Sequence, residues 1–300
     1  MWNRIGSIRR KNSGDPRQLT HMAVPIVETL QFPLCRLYFS ARDQHNQSRT
    51  FSAEFDITNL ERGLTSEPIL VLDLGELGTF DDSGAMASCL TTWGAARYLY
   101  YVGWNLGVTV PFRNSMGLAI SVAGKPFEKT GPGPLLDRCY EEPHFVASAT
   151  VVPSKNKWWM YYLSCTSWEK GSQGVTHRYH IKSSTSLDGI HWVRPGKVVI
   201  DYKNETEYAI SRPSVLVEDS LWRMWFSYRG YRYRIGYAES SDGATWIRKD
   251  SEMGLTPELR GLETEMVEYP CVFRFGGELY MAYNGDGYGR DGVLLAKWQM

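Results

Sequence analysis

Short runs of alternating apolar and polar residues recur along this chain, separated by Gly, Asp and Asn, and no useful stretch carries the helix period. The runs come in a fixed order. A first run is small and β-branched: residues 22–27 (MAVPIV), 84–90 (GAMASCL), 146–152 (VASATVV), 213–217 (PSVLV) and 270–275 (PCVFRF). A second is aromatic and alternating: residues 36–40, 98–103, 158–164, 222–228 and 278–284. A third covers residues 50–55, 117–121, 180–184, 235–240 and 293–298. The third runs of two repeats lead into matching turns, IKSSTSLDGIHW (181–192) and IGYAESSDGATW (235–246), with a worn copy in MGLAISVAGKPF (116–127). A period of about 60 residues with several short strands per unit is the signature of a β-propeller. The pattern therefore predicts an all-β fold, a five-bladed β-propeller forming one domain over residues 1–300.

Blade ends are predicted from the same pattern. The short fourth run after Trp192, ending at Ile200, is echoed at the start of the chain by WNRIGSI (2–8), while the last blade stops at Trp298 without a fourth strand. Residues 2–8 are therefore expected as the outer strand of the last blade, closing the ring and covering an open sheet edge. Asp188 and Asp242 are expected to bond their own backbone, Gly189 and Gly243 to supply positive φ, and Trp192 and Trp246 to pack beneath.

Composition narrows the function classes. Lys plus Arg and Asp plus Glu number 33 each, which gives no support for nucleic-acid binding or for an anionic membrane surface. No apolar run reaches the ~18 residues that span a bilayer, and no apolar stretch follows the basic N-terminal residues. The five cysteines are scattered without a CxxC pair, which points to a reducing cytoplasm rather than a disulfide framework. With 11 Trp, 18 Tyr and 11 Phe the chain can fill a sizeable core. Dinucleotide, P-loop and α/β-hydrolase motifs are missing from the sequence.

A propeller gathers the starts of its inner strands and its second-to-third loops at one mouth. Here His21, Asp82, Glu142, Arg212 and Glu268 stand at or near inner-strand starts. Arg42, Asp43, Trp104, Asn105, Asn114, Arg229 and Asn284 stand in or beside the second-to-third loops, and His180 on a third strand. Carboxylates converging on a narrow axis repel, so some are raised in pKa while others stay ionised, the pair of states that glycosidic cleavage needs. Such a cluster could also hold a divalent cation on the axis, although the sequence has no close His pairing of the HExxH kind.

The strings FDDSG (80–84), VPFRNSMGLAIS (110–121), PLLDRCYEEPHFV (134–146), YHIKSSTSLDGIHW (179–192), WRMWFSYRG (222–230) and EMVEYPCVF (265–273) resemble bacterial predicted glycosidases. Those are five-bladed propellers related to glycoside hydrolase families 43 and 32, more loosely to mannoside phosphorylases, and often found among surface-polysaccharide genes. The resemblance implies three axial acids, the first an Asp on the first inner strand. This chain has His21 there, which leaves Asp82 as base, Glu142 as acid and Glu268 as the catalytic candidates. It also implies that Arg and His bind phosphate. His21, Arg42, Asp43, Trp104, Asn105, Asn114, His180, Arg212, Arg229 and Asn284 are accordingly expected to bind substrate. The expected partner is a sugar, sugar phosphate or nucleotide sugar, with no resident cofactor, and the expected chemistry is cleavage or transfer at the anomeric centre. A biosynthetic enzyme tailoring an activated sugar and a glycan-binding module without turnover are the competing readings.

Overall fold

The computed structural model describes residues 1–10, 14–171, 174–258 and 260–299. Its strands form antiparallel meanders of four. The first comprises Thr20–Thr29, Leu34–Arg42, Ser48–Asp56 and Ile69–Leu72; the second Gly84–Trp93, Ala96–Leu106, Phe112–Val122 and Glu128–Lys129. The third comprises Val146–Val152, Trp158–Gly171, Gly174–Ser186 and Lys197–Ile200; the fourth Ala209–Glu218, Leu221–Arg229, Tyr233–Ser240 and Ile247–Arg248. Glu268–Phe275, Glu278–Asn284 and Gly292–Trp298 make the last, and the N-terminal strand Trp2–Arg9 pairs antiparallel with Gly292–Trp298. Single parallel bridges, Ser48 with Gly84 and Tyr179 with Ala209, join the first meander to the second and the third to the fourth. The two α-helical segments, Asp250–Met253 and Asp286–Gly289, have four residues each. Among the described residues no helix is long and apolar enough to cross a membrane.

The core lies between meanders. Tyr38 and Ile26 of the first pack with Leu99 and Tyr101 of the second, and Tyr100 and Met116 of the second with Met160 and Tyr162 of the third. Tyr161 and Ile181 of the third meet Met224 and Phe226 of the fourth, and Trp225 and Tyr237 of the fourth meet Met281 and Val272 of the last. Phe39 and Phe51 of the first pack with Tyr280 and Val293 of the last. The aromatic second strands supply this packing because alternate side chains face opposite neighbours across the pleat.

The Asp-Gly turns bind their own backbone. Asp188 Oδ1 accepts from the N–H groups of Ile190 and His191, both at 2.8 Å, and Asp242 Oδ1 repeats this with Ala244 and Thr245. Gly189 and Gly243 have φ of 76° and 72°, where a Cβ costs energy. The turns also lock meanders together, because the hydroxyls of Tyr100 and Tyr161 donate to the carbonyls of Gly189 and Gly243.

On the N-terminal strand Trp2 and Ile8 are buried, and the Trp2 indole donates to the Met253 carbonyl at 2.8 Å. Deleting residues 1–9 strips both side chains and the ladder to Gly292–Trp298. Large-to-small losses of this kind cost about 3–5 kcal/mol for a Trp and 2–5 for an Ile. Thermal denaturation should show Tm falling by on the order of 10 °C; an unchanged Tm would contradict the packing role.

Candidate functional site in the central cavity

Each inner strand carries a one-residue bulge at the same level. The register breaks lie between Ala23 and Ile26, Ala87 and Cys89, Ala147 and Thr150, Ser211 and Ser214, and Glu268 and Cys271. At four of them a non-glycine residue has positive φ: Val24 (55°), Ser148 (46°), Arg212 (51°) and Tyr269 (56°). Pro25, Pro213 and Pro270 follow three of these residues, where proline fits because a bulge leaves a ladder donor unneeded. Bulges re-aim side chains, and these surround one cavity. It measures about 380 Å³ and is lined by Val24, Met86, Ser148, Ser211 and Tyr269 from the inner strands. That volume lies within the ~300–1,000 Å³ typical of ligand sites. A larger groove, about 990 Å³, runs between the N-terminal strand and residues 57–63 at the edge of the molecule. Among the described residues Tyr280 is the one aromatic residue in its lining, whereas six line the central cavity, which is therefore the stronger candidate.

The walls are aromatic and cationic. Arg42, Asn114, His177, Tyr179, Arg229 and Tyr233 line the central cavity together with Tyr288. The Arg229 guanidinium lies 5.3 Å from the Tyr233 ring centre and 5.5 Å from that of Tyr208, and donates weakly to the Tyr288 hydroxyl at 3.4 Å. Its Nε is buried without a partner. The ring of His177 stacks on Tyr179 with centroids 5.0 Å apart, and its buried Nδ1 is also unpartnered. Burial, reinforced by the charge of Arg229, pushes the His177 pKa down to about 4, so the ring is neutral at pH 7. Among the described residues, no carboxylate lines this cavity.

Glu268 is the acid beside it. It precedes the cavity-lining Tyr269, is fully buried, and neither carboxyl oxygen makes a well-formed hydrogen bond, the Tyr269 hydroxyl being the side-chain donor that acts on it. Burial drives its pKa well above the ordinary carboxyl range, against the pull of Arg229. Next to it the hydroxyls of Tyr179 and Tyr233 are hydrogen-bonded to each other. An unpaired guanidinium and a neutral imidazole thus stand on the cavity wall with a carboxyl that favours its neutral form buried just behind it, an arrangement that can hold an anion next to a proton source.

The structure does not bring the other expected acids to this cavity. Glu142 is buried between strands, where Arg194 grips one oxygen at 2.6 and 2.9 Å, Lys182 lies 3.2 Å away and Ser164 donates at 2.8 Å. Burial opposes its charge, but Arg194, Ser164 and Lys182 more than offset it, and the carboxyl sits below its ordinary range. These partners favour its charged form, whereas a general acid needs the neutral one. Asp82 accepts from Asn105 at 2.7 Å, the Gly78 N–H at 3.0 Å and the Ser83 hydroxyl at 2.9 Å, outside the cavity lining. These bonds outweigh burial and hold its pKa down, and Asp82 and Asn105 brace a loop together.

Of the expected substrate ligands, Arg42, Asn114 and Arg229 line the cavity. His21 does not; its Nδ1 bonds the Thr20 hydroxyl at 2.8 Å, and burial followed by the charge of Arg42 lowers its pKa to about 4. Asp43 is used by Arg49 at 2.7 Å and by two backbone N–H groups. Trp104 packs over Gly84, where any Cβ would strike the indole. His180 faces Asp201 at 3.3 Å on another side of its strand. The Asn284 amide is fully engaged: it accepts from Val24 N–H at 2.8 Å and donates to the carbonyls of Met22 and Gly292. Arg212 is buried, and its guanidinium donates to the carbonyls of Ser88 and Pro25, on the inner strands of the second and first meanders. It bridges the space between inner strands instead of opening into the cavity. Among the described residues, no three His, Cys, Asp or Glu side chains converge as a metal-ligand set. The cavity residues that sequence reasoning missed are His177 and the tyrosines at 179, 233, 269 and 288. The recurring VP, RP and YP pairs at residues 24, 212 and 269 mark the bulges and would have pointed to Tyr269.

No protein-family model matches the chain. It is 36% identical over 295 residues, 98% of each chain, to "Uncharacterized protein Rv1502" of Mycobacterium tuberculosis strain H37Rv and equally to "Uncharacterized protein MT1551" of strain CDC 1551. Among solved structures it superposes on the RGII complex of BT0996 with a TM-score of 0.76 at 15% identity, covering 100% of this chain and 93% of that one. A thermostable family-43 glycoside hydrolase gives 0.67 at 16% identity, covering 97% and 93%. Sucrose-6-phosphate hydrolase from Lactobacillus gasseri gives 0.63 at 12% identity, covering 96% of this chain and 62% of that one. The chain belongs to the family of the two mycobacterial proteins, and its fold is that of the bacterial glycosidase-like propellers of the family 43 and 32 type.

Proposed function

We propose that the meanders are five blades of a closed propeller, with strand Trp2–Arg9 completing the last blade, and that the central cavity acts on a sugar bearing an anionic group. The closed ring is supported by the pairing of Trp2–Arg9 with Gly292–Trp298 and by the core shared between first and last meanders. The chemistry proposed is cleavage or transfer at the anomeric centre, in which water or an acceptor hydroxyl attacks the anomeric carbon and passes its proton to solvent while the departing oxygen is protonated, with Glu268, buried just behind the cavity wall, as the proton source. One observation carries this reading: the acid beside the cavity is a buried carboxyl without a well-formed hydrogen bond, near a guanidinium that forms no ion pair among the described residues. Arginine suits phosphate and carboxylate because its planar fork matches their geometry. Tyr233, Tyr269 and Phe112 offer ring faces and edges to a sugar. The arginine-rich wall favours an activated or phosphorylated sugar over a neutral polysaccharide, and the Lactobacillus gasseri relative in fold is by name a sugar-phosphate hydrolase.

Thermal shift tests this choice. Glucose 1-phosphate, UDP-glucose, glucose and a neutral oligosaccharide would be compared with wild type and with Arg229→Ala. A ligand at a hundredfold its Kd stabilises by about 2.7 kcal/mol. The phosphorylated ligands should raise the Tm of wild type and fail with Arg229→Ala. Stabilisation by the neutral oligosaccharide alone would overturn the anionic-sugar reading.

A further inference from the structure

A second cavity opens beside the central one. It measures about 280 Å³ and is lined by Arg113, Arg138, His144, Phe145 and Trp168, among others. Strand alternation divides the two spaces: Phe112 and Asn114 line the central cavity while Arg113, between them, lines the second. The cross-strand partners Trp168 and His177 share one face of the sheet with rings 5.1 Å apart, and the boundary runs between them, Trp168 lining the second cavity and His177 the central one. Phe145 belongs to both. Its ring lies 5.4 Å from Trp168 and 5.6 Å from Phe112, so a wall one aromatic side chain thick separates the cavities.

Two exposed arginines stand at this largely apolar cavity. The ion pairs of the described residues include none for Arg113, and the one for Arg138 is a loose contact with its sequence neighbour Asp137 at 3.8 Å. Two arginines that share a concave, aromatic-backed surface without a firm carboxylate partner favour an anion with several acceptor oxygens. The central cavity already has Arg42 and Arg229 on the other side of the wall.

We propose that this second cavity is a subsite for a phosphate or phosphate ester carried by the part of the substrate beyond the reacting sugar. The proposal rests on the reading of the central cavity as the sugar site. Substrates with two anionic groups would engage both cavities, and Trp168 would flank the departing portion.

Isothermal titration with inorganic phosphate at low ionic strength tests it. Wild type should bind two phosphates per chain. Arg113→Ala/Arg138→Ala, in which both replaced side chains are exposed, should bind one and keep the wild-type Tm. Arg229→Ala should also bind one. Two phosphates retained by the double variant would overturn the second subsite. A single wild-type phosphate lost in Arg229→Ala, but not in the double variant, would overturn it and leave the central site standing. Phosphate lost only in the double variant would overturn the central reading and keep the second site. No phosphate bound by wild type would overturn both.

Discussion

Glu268→Gln is expected to yield a folded protein that still binds its sugar but turns it over about 10²–10⁴-fold more slowly, the usual contribution of a positioned general acid. Glutamine keeps the shape of a protonated carboxyl and removes only the proton that can be given up. The wild-type side chain is already favoured in its neutral form, because burial penalises the charge by more than Arg229 and the Tyr269 hydroxyl relieve it. The exchange should therefore not destabilise the fold, and its pH dependence has a definite sign. Glu268 holds its proton in the folded state at pH values where the unfolded chain, with a Glu pKa of about 4.3, has released it. Folding stability from this residue thus falls as pH rises above that value, towards the raised folded pKa. Glutamine carries no such dependence, so the Tm of Glu268→Gln relative to wild type should rise with pH. Mass-spectrometric turnover and thermal denaturation between pH 5 and 9 measure both effects. Wild-type turnover in the variant would remove Glu268 from the chemistry.

Arg212→Met should give a large loss of stability among single core substitutions. The guanidinium donates to the carbonyls of Ser88 and Pro25, both at bulges where the strand ladder is interrupted. Two effects compete. Removing a buried charge relieves a desolvation cost, and replacing whole buried ion pairs by apolar groups is often stabilising by about 1–4 kcal/mol. Here one side of the interaction goes while both acceptors stay buried, and an acceptor left unsatisfied costs about 1–3 kcal/mol. The second effect should win, with a net loss of up to about 5 kcal/mol and a Tm lower by several degrees, up to about 10 °C. Lysine can reach only part of this geometry, so Arg212→Lys should fall between the two. A methionine variant as stable as wild type would show that the bridge between inner strands is dispensable.

The strand order was readable because aromatic alternation and turn residues report local geometry. Val146–Val152 and Glu278–Asn284 match their sequence expectations at both ends, and the two Asp-Gly turns fold as their residue types require. Other strands run longer than expected, such as Trp158–Gly171, because polar residues at the mouth continue the ladder without an apolar pattern. The site was less legible. Glu142 precedes its inner strand and Glu268 opens its own, and Glu142 meets Arg194, 52 residues away, while Glu268 forms no ion pair among the described residues. Nothing local in EEPHF or VEYP distinguishes those fates, which are decided by long-range contacts. Asn284 was read as a ligand because it ends a second strand at the mouth, but the backbone of Met22 and Val24 claims its amide. The tyrosines of the cavity look in sequence like ordinary strand aromatics, and only the bulges turn Tyr269 inward.

The central claim, that the cavity between Arg42 and Arg229 receives an anionic group of the substrate, is tested most directly by locating an anion in it. Crystals soaked in tungstate, a phosphate mimic, would reveal the metal by its anomalous scattering. The account predicts a peak in the central cavity within hydrogen-bond reach of the Arg229 guanidinium, absent in Arg229→Ala. A central cavity free of tungstate in wild type, with the cavity open to solvent in the crystal, would contradict it.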